Sequence, residues 1–109
     1  MAQLNNLTCF RGEAPVFNFT MSPLVNLTGV PIVFTVRKRN DATQPTLISV
    51  NGVVTNGPAG QFSITVTHAQ TMQATLPAGM YAYDVWRTDA GNEAVLSYGS
   101  FKVDPEVLY

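Results

Sequence analysis

Cysteine is almost absent from this chain of 109 residues: Cys9 stands alone. A single cysteine makes no internal disulfide, and it builds no zinc site without several further ligands. Histidine is as scarce, with only His68, so no histidine cluster can hold a metal, and no cofactor is expected. Charge is thin, at 12% of residues against the ~25% usual for soluble domains. The net charge of −1 argues against a nucleic-acid binder, which normally carries a basic surplus. No stretch approaches the ~18 consecutive apolar residues of a membrane span, so no membrane partner is expected. Met1 to Phe10 has neither a basic start nor a long apolar run, which predicts no signal peptide. The expected setting is a reducing compartment, or release by lysis. Asn-X-Thr triplets at Asn6, Asn18 and Asn26 reflect the high Asn and Thr content and would matter only after secretion. Gly57 and Gly60 have no Lys-Ser or Lys-Thr behind them, so they form no phosphate loop.

What the chain does hold is strand-forming sequence. Hydrophobic residues at 46% exclude intrinsic disorder, and the length suits one domain spanning 1–109. Val, Thr and Ile, branched at Cβ, number 13, 12 and 3, and branching favours the pleated strand. Alternation of period two places Phe17 with Phe19, and Ile32 and Phe34 with Val36. It also places Phe62 and Ile64 with Val66, and Tyr81 and Tyr83 with Val85, opposite Asp84 and Trp86. Glu93 to Val103 reads as a strand with Val95, Phe101 and Val103 on one face and a bulge at Gly99. Leu4 to Phe10 reads as a further strand. Asp89-Ala90-Gly91-Asn92 predicts a hairpin loop, Asn51-Gly52 a tight hairpin, and Asn56 to Gly60 a turn. Thr67-His68-Ala69-Gln70 matches a capping box, so one short helix is predicted near residues 68–75, stopped by Pro77 and Gly79. About seven short strands with turns between them predict an all-β sandwich, with a small barrel as the alternative.

Few residues suggest chemistry. His68 is the one candidate base near neutral pH, but it has no activated nucleophile in its motif and reads as a solvent-facing residue of the helix's first turn. Asp84, Asp89 and Glu93 lack the ordered spacing of a calcium loop. Cys9 reads as a small buried apolar group. Arg37-Lys38-Arg39 is the only charge run; it could grip phosphate or a partner's carboxylate, and the favoured reading is a solvated strand end that guards an edge. Trp86, with Tyr81, Tyr83 and Tyr98, could form an outer aromatic face, although a core Trp is the favoured reading. Low charge beside 30 Thr, Asn, Gln and Ser residues suits contact with neighbouring subunits. The segment ending in Val107, Leu108 and Tyr109 is an apolar cluster of the kind that marks a partner site.

Several blocks, in order over most of residues 15–107, resemble one family. Asn26-Leu27-Thr28-Gly29, followed by the strand Val30 to Arg37, resembles the (D/N)LTG block of small immunoglobulin-like structural proteins from tailed bacteriophages. Gly60-Gln61-Phe62-Ser63-Ile64-Thr65-Val66 is similar to that family's next strand. Thr71 to Val85, with Pro77-Ala78-Gly79-Met80-Tyr81-Ala82-Tyr83-Asp84-Val85, resembles its LPAGxYxYDV block. Gly99-Ser100-Phe101-Lys102-Val103 before Pro105-Glu106-Val107 resembles its closing strand. The turn before the LTG block is shortened to Met21-Ser22-Pro23, and Asn26 stands where Asp is commoner. The resemblance implies an immunoglobulin-like β-sandwich and a non-enzymatic virion protein. Such a protein is made in the host cytoplasm and assembles as a homo-oligomer or with other virion proteins on the capsid, tail, baseplate or fibre. The candidate interface residues are Trp86, Tyr98, Arg37, Arg39, Val107, Leu108 and Tyr109. The alternative is an adhesion module that holds host-surface glycan through exposed aromatics.

Overall fold

The computed structural model describes residues 3–22, 25–39, 43–72 and 76–105. Among them lie nine strands and one short helix. The strands are β1 (Gln3–Leu4), β2 (Leu7–Phe10), β3 (Val16–Thr20), β4 (Ile32–Arg37), β5 (Thr46–Asn51), β6 (Val53–Asn56), β7 (Gln61–Thr65), β8 (Gly79–Arg87) and β9 (Ala94–Asp104). The helix α1 (His68–Thr71) falls between β7 and β8. Six strands form one sheet in the order β1-β9-β8-β4-β5, with β2 also on β9; three form a second in the order β3-β7-β6. The result is a mostly β, sandwich-like pair of sheets.

The predicted alternation decides which side chains lie between the sheets. Phe34, Phe62, Ile64 and Val85 are at most 1% exposed and belong to one buried cluster drawn from both sheets. Aromatic rings bridge the layers: Phe17 of β3 meets Phe101 of β9 edge to face at 6.0 Å, and Phe101 meets Phe34 at 6.0 Å. Burial of this kind stabilises by about 1.5–3 kcal/mol per large apolar side chain. The capping box is present: Gln70 N–H donates to Thr67 Oγ1 at 3.2 Å, and Thr67 N–H donates to the Gln70 side chain at 2.9 Å. The helix covers His68–Thr71; residues 73–75 of the expected span lie outside the described residues.

Four expectations are corrected. Asn51-Gly52 is not a tight hairpin, because β5 and β6 belong to different sheets. Gly52 instead carries the chain across the edge of the sandwich, where a Cβ would come within 2.9 Å of both Ile32 and Ile64. The bulge in β9 is not at Gly99. Val85 pairs with Ser97 and Trp86 with Val95, so Leu96 is the inserted residue. Leu96 and Ser97 are therefore both buried although adjacent, and Val95 turns to the outer face. The N-terminal strand is two strands, interrupted at Asn5-Asn6 opposite Gly99. Both halves run parallel to β9 in one continuous register. Finally, the strands number nine where about seven were expected, and the interruption at Asn5-Asn6 adds one of them.

Gly99 explains the interruption. Its φ is +154°, and a Cβ there would stand 2.1 Å from the Asn5 carbonyl oxygen. The freed Asn5 groups are satisfied: Asn5 N–H donates to Tyr98 O at 2.9 Å, and the Tyr83 hydroxyl donates to Asn5 O at 2.7 Å. Asn5 Nδ2 donates to the buried Ser97 Oγ at 3.0 Å. One lateral edge is closed by Gln3, whose amide donates to Thr20 O at 3.1 Å and accepts from Ser22 N–H at 2.9 Å. This side chain stitches the N-terminal strand of the large sheet to the end of β3 in the small one.

Candidate interaction surface

The outer face of the large sheet is built by the residues that alternation turns away from the core. On β8, Tyr81, Tyr83 and Val85 point inward, so Met80, Ala82, Asp84 and Trp86 point outward. Trp86 is 38% exposed, which corrects its favoured placement in the core. Alternation alone had set Trp86 opposite Tyr83 and Val85; the expectation of a core Trp overrode that signal. On β9 the outer residues are Val95, Tyr98, Ser100 and Lys102, and Tyr98 is also 38% exposed. Pairing aligns Val33, Trp86 and Val95 in one row across β4, β8 and β9. The next row holds Thr35, Asp84, Tyr98 and Leu4. Seven large hydrophobics are exposed among the described residues, and five of them (Leu4, Phe10, Met80, Trp86 and Tyr98) lie on this face. Leu4, Phe10 and Met80 were missed as candidates, although the alternation around Cys9 and Tyr81 points them outward.

Arg37 ends β4 on the same face. β4 lies between β5 and β8, so Arg37 does not guard a sheet edge, contrary to expectation. Its Nη1 stands 3.8 Å from Asp84 Oδ2, and the Thr35 hydroxyl donates to Asp84 Oδ1 at 3.0 Å. Arg37 Nε is buried and has no hydrogen-bond partner among the described residues. A shallow, open depression is lined by Thr35, Arg37, Arg39, Ala82, Tyr83 and Asp84. Arg39 is exposed just beyond the strand. The structure thus gathers Trp86, Tyr98, Arg37 and Arg39 on or beside one face. Val107, Leu108 and Tyr109 lie outside the described residues.

The remaining polar candidates are engaged locally. The His68 ring is exposed, and its Nδ1–H donates to Gly12 O, which ties α1 to the turn after β2. Thr71 completes that tie, accepting from Gly12 N–H at 3.1 Å and donating to Glu13 O at 2.6 Å. Asp84, Asp89 and Glu93 are not brought together. Asp89 takes a bidentate pair from Arg87 at 2.9 and 2.8 Å, which holds its carboxyl below the usual range, and Glu93 accepts from Gly91 N–H at 3.0 Å. No cluster of metal-ligating side chains occurs among the described residues. Cys9 is a buried free thiol; burial first, then the charges of Glu13 and Asp104, push it up to about 11. Burial likewise raises Tyr81 and Tyr83.

The motif residues also act structurally. Asn26 Oδ1 accepts from Thr28 N–H at 3.0 Å and from the Thr28 hydroxyl at 2.7 Å, and this turn sets fully buried Leu27 into the core. The Tyr81 hydroxyl donates back to the Pro77 carbonyl, which fixes the entry into β8. No protein-family model matches the chain, and no curated protein matches it in sequence.

Proposed function

We propose that this chain is a non-enzymatic structural protein of a tailed-phage virion, an immunoglobulin-like sandwich that assembles in multiple copies on the capsid or on the tail, baseplate or fibre. The observation that carries this reading is the outer face of the large sheet, which leaves Leu4, Phe10, Met80, Trp86 and Tyr98 exposed. Aromatic residues and Met are enriched at protein interfaces, and clustered apolar exposure marks partner sites. The immunoglobulin-like assignment draws support from the Tyr81 hydroxyl bound to a carbonyl four residues upstream, the geometry of a tyrosine corner. The sequence blocks that resemble those of phage structural proteins suggest the virion setting. A mass-spectrometric inventory of intact and tail-only particles tests it: the chain should appear at a fixed copy number in intact particles, and in tails as well if it belongs there, and its absence from both would remove the virion role.

The same exposed rings favour one second reading, an adhesion module on which sugar rings stack. A host-glycan binding screen separates the two. Saturable binding lost in Trp86→Ala supports adhesion; no binding leaves the structural role.

A further inference from the structure

We propose that the outer face of the large sheet receives the C-terminal segment of a second copy of this chain, with Glu106 seated against Arg37 and Arg39. The proposal rests on the multi-copy reading and names the contact that would join the copies.

Charge supplies the first reason. Arg37, Lys38 and Arg39 are three of the chain's six cations, and Asp84 is the acid held beside them. The Arg37 side chain is partly exposed beside Asp84, and Arg39 is exposed at the rim of the same depression. A guanidinium pair of this kind fits a carboxylate with charge-assisted hydrogen bonds. Beyond Asp104 the sequence continues Pro105-Glu106-Val107-Leu108-Tyr109: one acid, no cation, then three apolar residues. The face repeats that order, from the arginines along β4 and β8 to Val33 and Trp86.

Reach to Trp86 favours the second copy over the segment's own sheet. Arg37 is level with Ser100 through Ala82. Asp104 therefore lies about 13 Å further along the strand and about 10 Å to the side, roughly 16 Å away in all. The backbone from 104 to 106 spans at most about 7 Å. A segment tethered to its own β9 brings Glu106 to Arg37 only with both side chains stretched, and Val107–Tyr109 then stop short of Trp86. A segment from another copy has no such tether. With its Glu106 at Arg37, the next three residues extend about 10 Å toward Val33 and Trp86. The contact repeats head to tail, so it closes into a ring where the rotation permits.

The test is sedimentation equilibrium of the full chain with a charge-swap cycle. Wild type should self-associate, and Glu106→Arg and Arg39→Glu should each weaken association by about tenfold or more. The double variant should recover most of the loss. Thermal melts matching wild type exclude misfolding; a variant that fails this control is replaced by Glu106→Gln or Arg39→Gln, which remove charge without reversing it. A peptide of residues 104–109 added to the Glu106→Arg chain should shift Arg37 Nε–Hε and Trp86 fluorescence. A wild-type chain monomeric at about 1 mM, a silent Glu106→Arg, or a double variant no better than the singles would overturn the proposal. So would a uronic acid sugar that outcompetes the peptide. A chain found in virions but monomeric sinks this contact alone; tail-mediated association without virion incorporation sinks the virion role alone.

Discussion

Two glycines with nearly the same backbone angle offer a controlled test of the Asn5 interruption. Gly79 and Gly99 have φ of +156° and +154°, but a Cβ at Gly79 meets nothing within 4 Å, whereas at Gly99 it meets Asn5 O at 2.1 Å. Alanine at either site bears the strain of a conformation used almost only by glycine, ~1–3 kcal/mol. A gain of ~0.4–1 kcal/mol from restricting the unfolded chain offsets part of it. Gly79→Ala should therefore cost roughly 0.5–2 kcal/mol. Gly99→Ala must also lift the Asn5-Asn6 segment, which breaks the Asn5 bonds to Tyr98 O, Ser97 Oγ and the Tyr83 hydroxyl. Three hydrogen bonds at ~0.5–1.5 kcal/mol each add roughly 2–4 kcal/mol. At ~4–8 °C per kcal/mol, Gly99→Ala should melt at least about 8 °C below Gly79→Ala. Amide hydrogen exchange should show lost protection at residues 3–8 in Gly99→Ala alone. Equal melting points for the two variants would refute the close approach as the cause of the break.

Ile64→Ala empties a fully buried position in β7 and should cost ~2–5 kcal/mol in a urea titration; a midpoint unchanged from wild type would contradict the assigned register. Thr67→Ala removes the cap of α1 and should cost ~0.5–2 kcal/mol, whereas Thr67→Ser, which keeps the hydroxyl, should retain most of that stability in thermal melts. Cys9 should react slowly with thiol reagents at neutral pH, because a thiol pushed up to about 11 is almost wholly protonated; rapid labelling of the folded chain would be inconsistent with its burial. The folded pKa of Cys9 lies above its ordinary 9.0, so its contribution is complete below pH 9 and is lost as pH rises toward 11, with Tyr81 and Tyr83 adding in the same direction. Circular-dichroism melts over that window should show falling stability, and a rise would reverse the sign of the linkage.

Local signals carried the elements and failed at the joins between them. Period-two alternation was enough to place Phe34, Phe62, Ile64, Tyr83 and Val85 inside, because the pleat leaves no other choice. The Thr67–Gln70 capping box and the Asp89–Asn92 loop were readable because each closes on itself within four residues. Asn51-Gly52 was misread because a two-residue turn signal does not say whether the next strand stays in the same sheet. The Leu96 bulge is a mismatch of register between β8 and β9, and neither strand reveals it alone. Gln3, Gly99 and Arg37 take their meaning from residues 17 to 94 positions away, contacts to which periodicity is blind. The Trp86 surface was half legible: its direction followed from alternation, but its neighbours Val33 and Val95 came only from strand order and register.

The parallel pairing of the first strands with the last bears on how the chain withstands force. Residues 3 to 10 and residues 97 to 104 run in the same direction along one seam. A pull applied at residue 3 and at residue 105 acts along that seam, not across it. The rungs from Leu7–Phe101 to Phe10–Asp104 then resist in shear and must yield together, whereas in a hairpin they would open one at a time. Gln3 adds a second anchor at the loaded end through its bonds to Thr20 and Ser22. A chain held between two parts of a particle in this way would behave as a stiff link until the seam slides. Single molecules stretched through positions 3 and 105 should rupture at higher force than molecules stretched through positions 79 and 105, which peel β8 from β9.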